Sequence, residues 1–325
     1  LDYSTHVSVP RGVIFVPDDY EKIQWAVDNA SAGDTIIVRD GTYVENIDVN
    51  KPHLTIKSEN GSAKCVVRAA NLFDHVFYVT ADNVTIKGFT VTGADYNAGI
   101  YLYNSNNCRI ENVIASNNYY GIIFYDSSNN IIANNTISNN DGGIYLYYSS
   151  SNIIANNTVS NNWDGIDLYY SSSNTMANNT VSSNNVYGIY LGSSSSNIVY
   201  LNNFIDNADN VHSYSSTNIW NSTQKITYTY NGIQYTNYLG NYWSDYEGSD
   251  ADDDGIGDTP YSIDGDKDYY PLMERIENYI VTPAPNQPPI ASFTYSPEKP
   301  VVNQSVTFDA SPSYDPDGKI IAYEW

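Results

Sequence analysis

The sequence predicts an all-β chain organised as a right-handed parallel β-helix, with three short strands per coil and a repeat of about 22 residues. Three observations carry this. A glycine followed by isoleucine recurs at Gly99-Ile100, Gly121-Ile122, Gly143-Ile144, Gly165-Ile166 and Gly188-Ile189, spaced 22, 22, 22 and 23 residues apart. A fixed period in the low twenties means a solenoid, whose units stack and cannot fold alone. Within each unit apolar residues alternate at period two, which is a strand signature rather than a helical one. Finally, the apolar positions form three ladders. One is Leu102, Phe124, Leu146, Leu168 and Leu191; the next is Ile110, Ile132, Ile154, Met176 and Val199; the third is Ala115, Ile137, Val159, Val181 and Phe204. Asn/Ser-rich corners separate them. A leucine-rich repeat would need its own leucine spacing and a helical segment, and shows neither.

Taken in order, residues 1–34 read as an N-terminal strand and a capping helix. Val13-Ile14-Phe15-Val16 is strand-like. Asp18 with Glu21 makes a capping-box pattern, Ile23, Ala26, Val27 and Ala30 recur at helical spacing, and Gly33 ends the segment. Such a helix would plug the open end of a solenoid, because exposed sheet ends invite aggregation. Residues 35–217 are the β-helix. Residues 218–273 read as a C-terminal hairpin cap and an acidic loop: Lys225–Tyr230 and Ile233–Thr236 flank Asn231-Gly232, the signal for a type I′ turn. Residues 274–289 hold Pro283, Pro285, Pro288 and Pro289 and read as a stiff linker, with a further module at 290–325.

Composition narrows the partners. The formal charge is −23, from 37 acidic against 14 basic residues. Such a surface repels phosphate backbones and anionic lipid, which argues against nucleic acid. No apolar run reaches membrane-spanning length. The first residue, Leu1, is not methionine, which fits removal of a signal peptide and an extracellular or cell-surface location. Cys65 and Cys108 are too few for a disulfide framework. Read as two coils apart, they are separated by roughly 9–10 Å at about 4.8 Å per rung, beyond disulfide reach; free, packed thiols are expected.

Eight Asn-x-Ser/Thr sequons begin at Asn29, Asn60, Asn83, Asn134, Asn156, Asn178, Asn221 and Asn303. Those at Asn134, Asn156 and Asn178 share one repeat position and read as a corner ladder of stacked amides. Asn60, Asn83, Asn221 and Asn303 are the glycosylation candidates.

Several stretches resemble known families. Tyr20-Glu21-Lys22-Ile23-Gln24, Gly33-Asp34-Thr35-Ile36, Gly41-Thr42-Tyr43-Val44-Glu45, Asn83-Val84-Thr85-Ile86-Lys87-Gly88-Phe89 and Tyr238-Leu239-Gly240-Asn241-Tyr242-Trp243 resemble NosD-like, pectin-lyase-like β-helix proteins over about residues 13–273. The resemblance implies the fold. It leaves function open among lyases, hydrolases, epimerases, metal-maturation proteins and inert surface proteins. Over about 286–325, Ala291–Pro297, Val306–Ser311, Asp315-Pro316-Asp317-Gly318 and Tyr323-Glu324-Trp325 resemble the first half of a PKD domain, an immunoglobulin-like sandwich. About forty residues cannot bury a sandwich core alone, so this sandwich is incomplete.

Candidate chemistry is sparse. Asn162-Trp163-Asp164-Gly165-Ile166-Asp167 looks like the Asn-x-Asp-Gly-x-Asp motif of polygalacturonase-type hydrolases, which would make Asp164 and Asp167 an acid–base pair. Against this, Gly165 and Ile166 belong to the repeat, and that family's other motifs are absent. A copper role, associated with NosD, would need clustered thiol, thioether or imidazole ligands; two Cys, two Met and four His are scattered. Asp250, Asp252, Asp254, the Ile256 carbonyl and Asp258 fit the first half of a Ca2+ loop, with Asp264, Asp266 or Asp268 available to complete it. The EF-hand's closing Glu is replaced by Tyr261.

Tyr101, Tyr103, Tyr125, Tyr145, Tyr147, Tyr169 and Tyr190 should line one outer face. Stacked tyrosines can support one another, receive sugar rings or pack against protein. The expectation is a non-enzymatic structural protein of the cell surface, binding copies of itself or other surface proteins, with glycans as a further class of partner. A polysaccharide-binding or polysaccharide-degrading protein is the rival.

Overall fold

The computed structural model describes residues 12–282, 288–302 and 304–313. Two compact units are present, Leu1–Ile280 and Val281–Trp325.

The first unit is a right-handed parallel β-solenoid of three sheets. The first sheet has nine strands, from Val13–Val16 to Ile198–Tyr200; the second has eight, from Ile47–Val49 to Asp209–Tyr214; the third has nine, from Gly41–Val44 to Tyr242–Trp243. All coil-to-coil pairings are parallel and in register, so Ile110, Ile132, Ile154, Met176 and Val199 stack, as do Ala115, Ile137, Val159, Val181 and Phe204. These residues are at most 1% exposed and form one continuous apolar core. All three ladders thus point inward. Burying one such side chain is worth roughly 1.5–3 kcal/mol.

The recurrent glycine has a steric reason. A Cβ on Gly143 would sit 2.3 Å from the carbonyl oxygen of Gly165 on the next coil and 2.8 Å from Val159 Cγ1. Only a residue without a side chain lets successive coils approach so closely.

Four hydrogen-bonded ladders run along the corners. Asn130, Asn152, Asn174, Asn197 and Asn218 form one; Asn135, Asn157, Asn179, Asn202 and Asn241 a second; Asn118, Asn140, Asn162, Asn184 and Asn207 a third. Ser105, Ser127, Ser149, Ser171, Ser194 and Ser216 form the fourth, each backbone N–H donating to the next hydroxyl. This corrects the expected ladder. Asn134, Asn156 and Asn178 are exposed left-handed turn residues, with φ of 58°, 57° and 57°; the buried amides belong to the residue after each. The Asn side chain satisfies corner N–H groups that no strand can reach.

Both thiols are free and buried. They do not share one column, however. Cys65 opens a strand of the third sheet, while Cys108 occupies the asparagine column, its N–H donating to Asn130 Oδ1 at 2.7 Å.

At the N-terminal end, helix α1 (Ile23–Asn29) buries Ile23, Ala26 and Val27. Its start differs from the capping box expected at Asp18 and Glu21. Lys22 is the N-cap and makes no side-chain cap; instead Glu45, 22 residues on, accepts the Ile23 and Gln24 N–H groups at 3.0 Å each. Asp18 is held by Arg39, whose Nε donates to it at 2.9 Å.

At the other end, Ile226–Tyr230 and Ile233–Asn237 form the expected antiparallel hairpin. Asn231 and Gly232 both have positive φ, 49° and 80°, as a type I′ turn requires. A second hairpin, Tyr261–Ile263 with Asp266–Asp268, lies across the last coil. Its aspartates accept the N–H groups that the coil leaves open: Asp264 from Ser213, Asp266 from Asn218 and Asp268 from Asn241, at 2.7, 2.7 and 2.8 Å. The segment read as linker begins on this unit, since Tyr279 is buried and stacks on Tyr230 at 5.0 Å.

In the second unit Thr294–Ser296 pairs antiparallel with Thr307–Asp309. Residues 1–11, Pro283, Pro285, Asn303, Asp315-Pro316-Asp317-Gly318 and Tyr323-Glu324-Trp325 lie outside the described residues.

Candidate functional site

The outer face of the second sheet concentrates the polar and aromatic side chains. Its long strands, such as Gly142–Tyr147 and Asp164–Tyr169, bury Gly and Ile consecutively before alternation resumes. That break in parity places residues three apart on the same outer side. Asp164 and Asp167 therefore share a face, although a regular strand would set them on opposite ones.

Two aromatic columns result. Tyr103, Tyr125, Tyr147 and Tyr169 follow one another with ring centroids 5.6, 5.1 and 5.9 Å apart, the first two pairs tilted and the last stacked. The parallel column reads Tyr101, Ile123, Tyr145, Asp167, Tyr190. All seven predicted tyrosines are outward, while Leu146 between Tyr145 and Tyr147 is fully buried. The sequence reading missed the extension at both ends. His75 stacks on Tyr101 at 4.4 Å, and His212 on Tyr187 and Tyr190 at 5.2 and 5.5 Å.

Beside the start of these strands lies a cleft of about 510 Å3, lined by Tyr119, Tyr120, Asp141, Gly142, Trp163 and Asp164. Gly142 makes room for the Tyr120 ring, since a Cβ there would meet Tyr120 Cδ1 at 2.3 Å. Oδ1 of Asp164 and Oδ1 of Asp167 are shielded from solvent and have no hydrogen-bond partner. Burial raises both carboxyl groups; the Asp164 charge adds to the rise at Asp167, and the Tyr187 amide offsets part of it at Asp164. Burial, then the neighbouring Tyr119 and the aspartates, pushes the Tyr120 hydroxyl up to about 12. Asn162, first residue of the hydrolase-like motif, is a fully buried member of the third ladder.

The acidic loop gathers Asp250, Asp252 and Asp254, whose ligand oxygens lie within 4.8 Å of one another. Asp250 accepts the Asp254 and Gly255 N–H groups at 3.2 and 2.8 Å, folding the loop round its carboxylate. Burial raises the Asp254 carboxyl. Asp258 lies outside this group and accepts the Ala251 N–H at 2.9 Å, while Ile256, expected to offer its carbonyl, donates its N–H to Asp254 at 2.8 Å. Asp264, Asp266 and Asp268 are taken up by the end of the solenoid.

Among the glycosylation candidates, Asn60 and Asn83 are exposed, and Asn221 is partly so, its amide donating to Ser222 O. Among the described residues no helix is long and apolar enough to cross a membrane.

Residues 27–248 match the family model for periplasmic copper-binding protein (NosD). A cell surface glycoprotein of Methanothermus fervidus is 42% identical over 100 residues. That alignment spans 30% of this chain and 16% of the relative. Among solved structures, DFA-IIIase from Arthrobacter chlorophenolicus A6 superposes with a TM-score of 0.51 at 12% identity, covering 64% of this chain and 71% of the other. The A-module of mannuronan C-5 epimerase AlgE4 from Azotobacter vinelandii gives 0.47 at 15% identity, covering 64% and 72%. At such identities the likeness is one of fold alone.

The donors for copper do not fit. Burial holds Cys65 and Cys108 in the thiol form, pushed up to about 12 and about 11. His75 is lowered to about 4 by burial, and its Nδ1 accepts the Ala98 N–H at 3.2 Å. Met176 is in the core. Among the described residues, the grouped His, Cys, Asp and Glu ligands are the three aspartates, whose hard oxygens suit Ca2+ or Mg2+ better than Cu(I).

Proposed function

The chain belongs to the periplasmic copper-binding protein (NosD) family, and from that premise we propose that it is a non-enzymatic structural protein of the cell surface. The observation that carries this is the outer tyrosine face. Four rings in contact form one column above an apolar core, more aromatic surface than a coil stack needs to hold itself together. Tyrosine is enriched at protein interfaces because one end is apolar and the other hydrogen-bonds. In this reading the face joins copies of the chain, or other surface proteins, into a layer or fibre. Helix α1 plugs the first coil, and the pair Thr294–Ser296 and Thr307–Asp309 contributes strands of a PKD-like module. The relative named as a cell surface glycoprotein supports the location, and the exposed Asn60 and Asn83 are the glycan acceptors.

Calcium stiffens the C-terminal region by binding Asp250, Asp252 and Asp254. Three carboxylates so close repel one another unless a cation offsets the charge.

Negative-stain microscopy of the purified protein with and without calcium tests the assembly. Ordered arrays or fibres are expected; dispersed single particles under both conditions would refute it.

A further inference from the structure

We propose that Asn134 and Asn156 carry N-linked glycans, at the corner between the first and third sheets. This adds two acceptors to Asn60 and Asn83 and rests on the cell-surface reading, because N-glycans are attached to exported chains.

The buried ladder runs one residue later than the asparagine that opens each sequon. In Asn134-Asn135-Thr136 and Asn156-Asn157-Thr158 the middle residue is the one hydrogen-bonded from coil to coil. The first asparagine and the threonine of each triplet are exposed. Asn134 and Asn156 stand on left-handed turns, with φ of 58° and 57°. Among the described residues their side chains make no hydrogen bond, nor do the hydroxyls of Thr136 and Thr158. The acceptor nitrogen, Nδ2, is therefore unengaged. At Asn29 and Asn221 it is tied to a main-chain oxygen, that of Trp25 and of Ser222, at 2.8 Å in both cases.

A left-handed turn selects asparagine by itself, so the threonine is the informative residue. Asn117, Asn139 and Asn161 hold the same φ at the corner before the second sheet, and Asn107 and Asn129 at the corner before the first. None of these five has Ser or Thr two places on. The strand does not demand a hydroxyl there either, since Ile114 fills that place on the preceding coil and pairs with Thr136. Thr136 and Thr158 follow in register. Here both halves of the sequon face water, as a bulky surface modification requires. The third sequon of the column, Asn178-Asn179-Thr180, is less suited. Thr180 is half-buried, and its Oγ1 accepts the Asn203 amide at 3.3 Å.

The corner also faces away from the tyrosines. Each coil runs from the second sheet to the first and then to the third, as in Tyr120–Tyr125, Ile131–Ala133 and Thr136–Ser138. The first-to-third corner is the one that does not border the second sheet. A glycan there leaves the Tyr125, Tyr147 and Tyr169 rings uncovered.

The donor is an oligosaccharide linked to a lipid through phosphate or diphosphate. Asparagine Nδ2 bonds to the anomeric carbon and gives up one amide proton. The carbon–oxygen bond to phosphate breaks, and the lipid phosphate leaves with that electron pair. Consecutive coils are about 4.8 Å apart, so a glycan on one acceptor crowds the next.

Glycopeptide mass spectrometry of the whole chain, purified from the cells that make it, tests the assignment. A saccharide mass is expected on Asn134 and on Asn156, with lower occupancy at Asn178. Thr136→Ala should abolish the mass at Asn134 and raise occupancy at Asn156, whereas Thr136→Ser should keep it; circular dichroism checks that both variants fold. A mass at Asn134 that survives Thr136→Ala would overturn the proposal. Bare Asn134 and Asn156 beside a glycosylated Asn60 or Asn83 would overturn this proposal alone. No saccharide at any sequon would overturn it together with Asn60 and Asn83 as acceptors.

Discussion

Asp268 ends the second asparagine ladder by accepting the Asn241 N–H at 2.8 Å, and its Oδ2 takes the Trp243 indole N–H at 3.0 Å as well. The carboxylate is fully buried, and burial outweighs these hydrogen bonds, raising it from the ordinary 3.8 to about 6. The folded chain therefore keeps a proton that the unfolded chain has already released between about pH 4 and pH 6. Its stability contribution is present below that window and is lost as pH rises through it, by about 1.4 kcal/mol per unit. Urea midpoints should fall from pH 4 to 6 more steeply in the unmutated protein than in Asp268→Asn. Parallel pH profiles would contradict this.

Replacing Asn157 by Ala removes the acceptor for both the backbone and the side-chain N–H of Asn135, each at 3.0 Å, and frees the Ile132 carbonyl. The loss should be on the order of 3 kcal/mol. Asn156→Ala, one residue away and exposed, should change stability by less than about 0.5 kcal/mol. Chemical denaturation of the pair checks the difference.

Gly143→Ala forces a methyl group against the Gly165 carbonyl, which is backbone and cannot swing aside. A cost above about 2 kcal/mol is expected, read as a drop in Tm. Gly265→Ala, with open space around it, serves as the control.

Calcium added to chelator-treated protein should give a calorimetric signal that disappears in Asp252→Ala/Asp254→Ala and persists in Asp258→Ala. A silent titration of the unmutated chain would end the calcium reading. Equal loss in Asp258→Ala would restore the longer ligand set read from the sequence.

Much of the fold was legible because its causes are local and periodic. The inward ladders through Leu146, Ile154 and Val159 follow from alternation, and Asn231-Gly232 carries its own turn signal. The asparagine ladder was misplaced by one residue because Asn134 and Asn135 are chemically identical. Only the left-handed φ of the first shows which amide turns inward. Glu45 as the cap of α1, and Asp264, Asp266 and Asp268 as the end of the solenoid, were illegible for another reason. Their partners lie more than twenty residues away, and carboxylates clustered in sequence look alike whether they face a cation or a row of N–H groups. Of the residues lining the cleft, the sequence singled out Asp164. Tyr119 and Tyr120 belong to an earlier coil, and nothing in the spacing announces that they flank Trp163.

The assembly claim is tested most directly by sedimentation velocity across a concentration series, comparing the unmutated chain with Tyr125→Ser/Tyr147→Ser/Tyr169→Ser. The face predicts concentration-dependent association in the first and a single monomeric boundary in the second, with both showing the same strand content. A monomer at every concentration in the unmutated chain, or association undiminished in the variant, would contradict it.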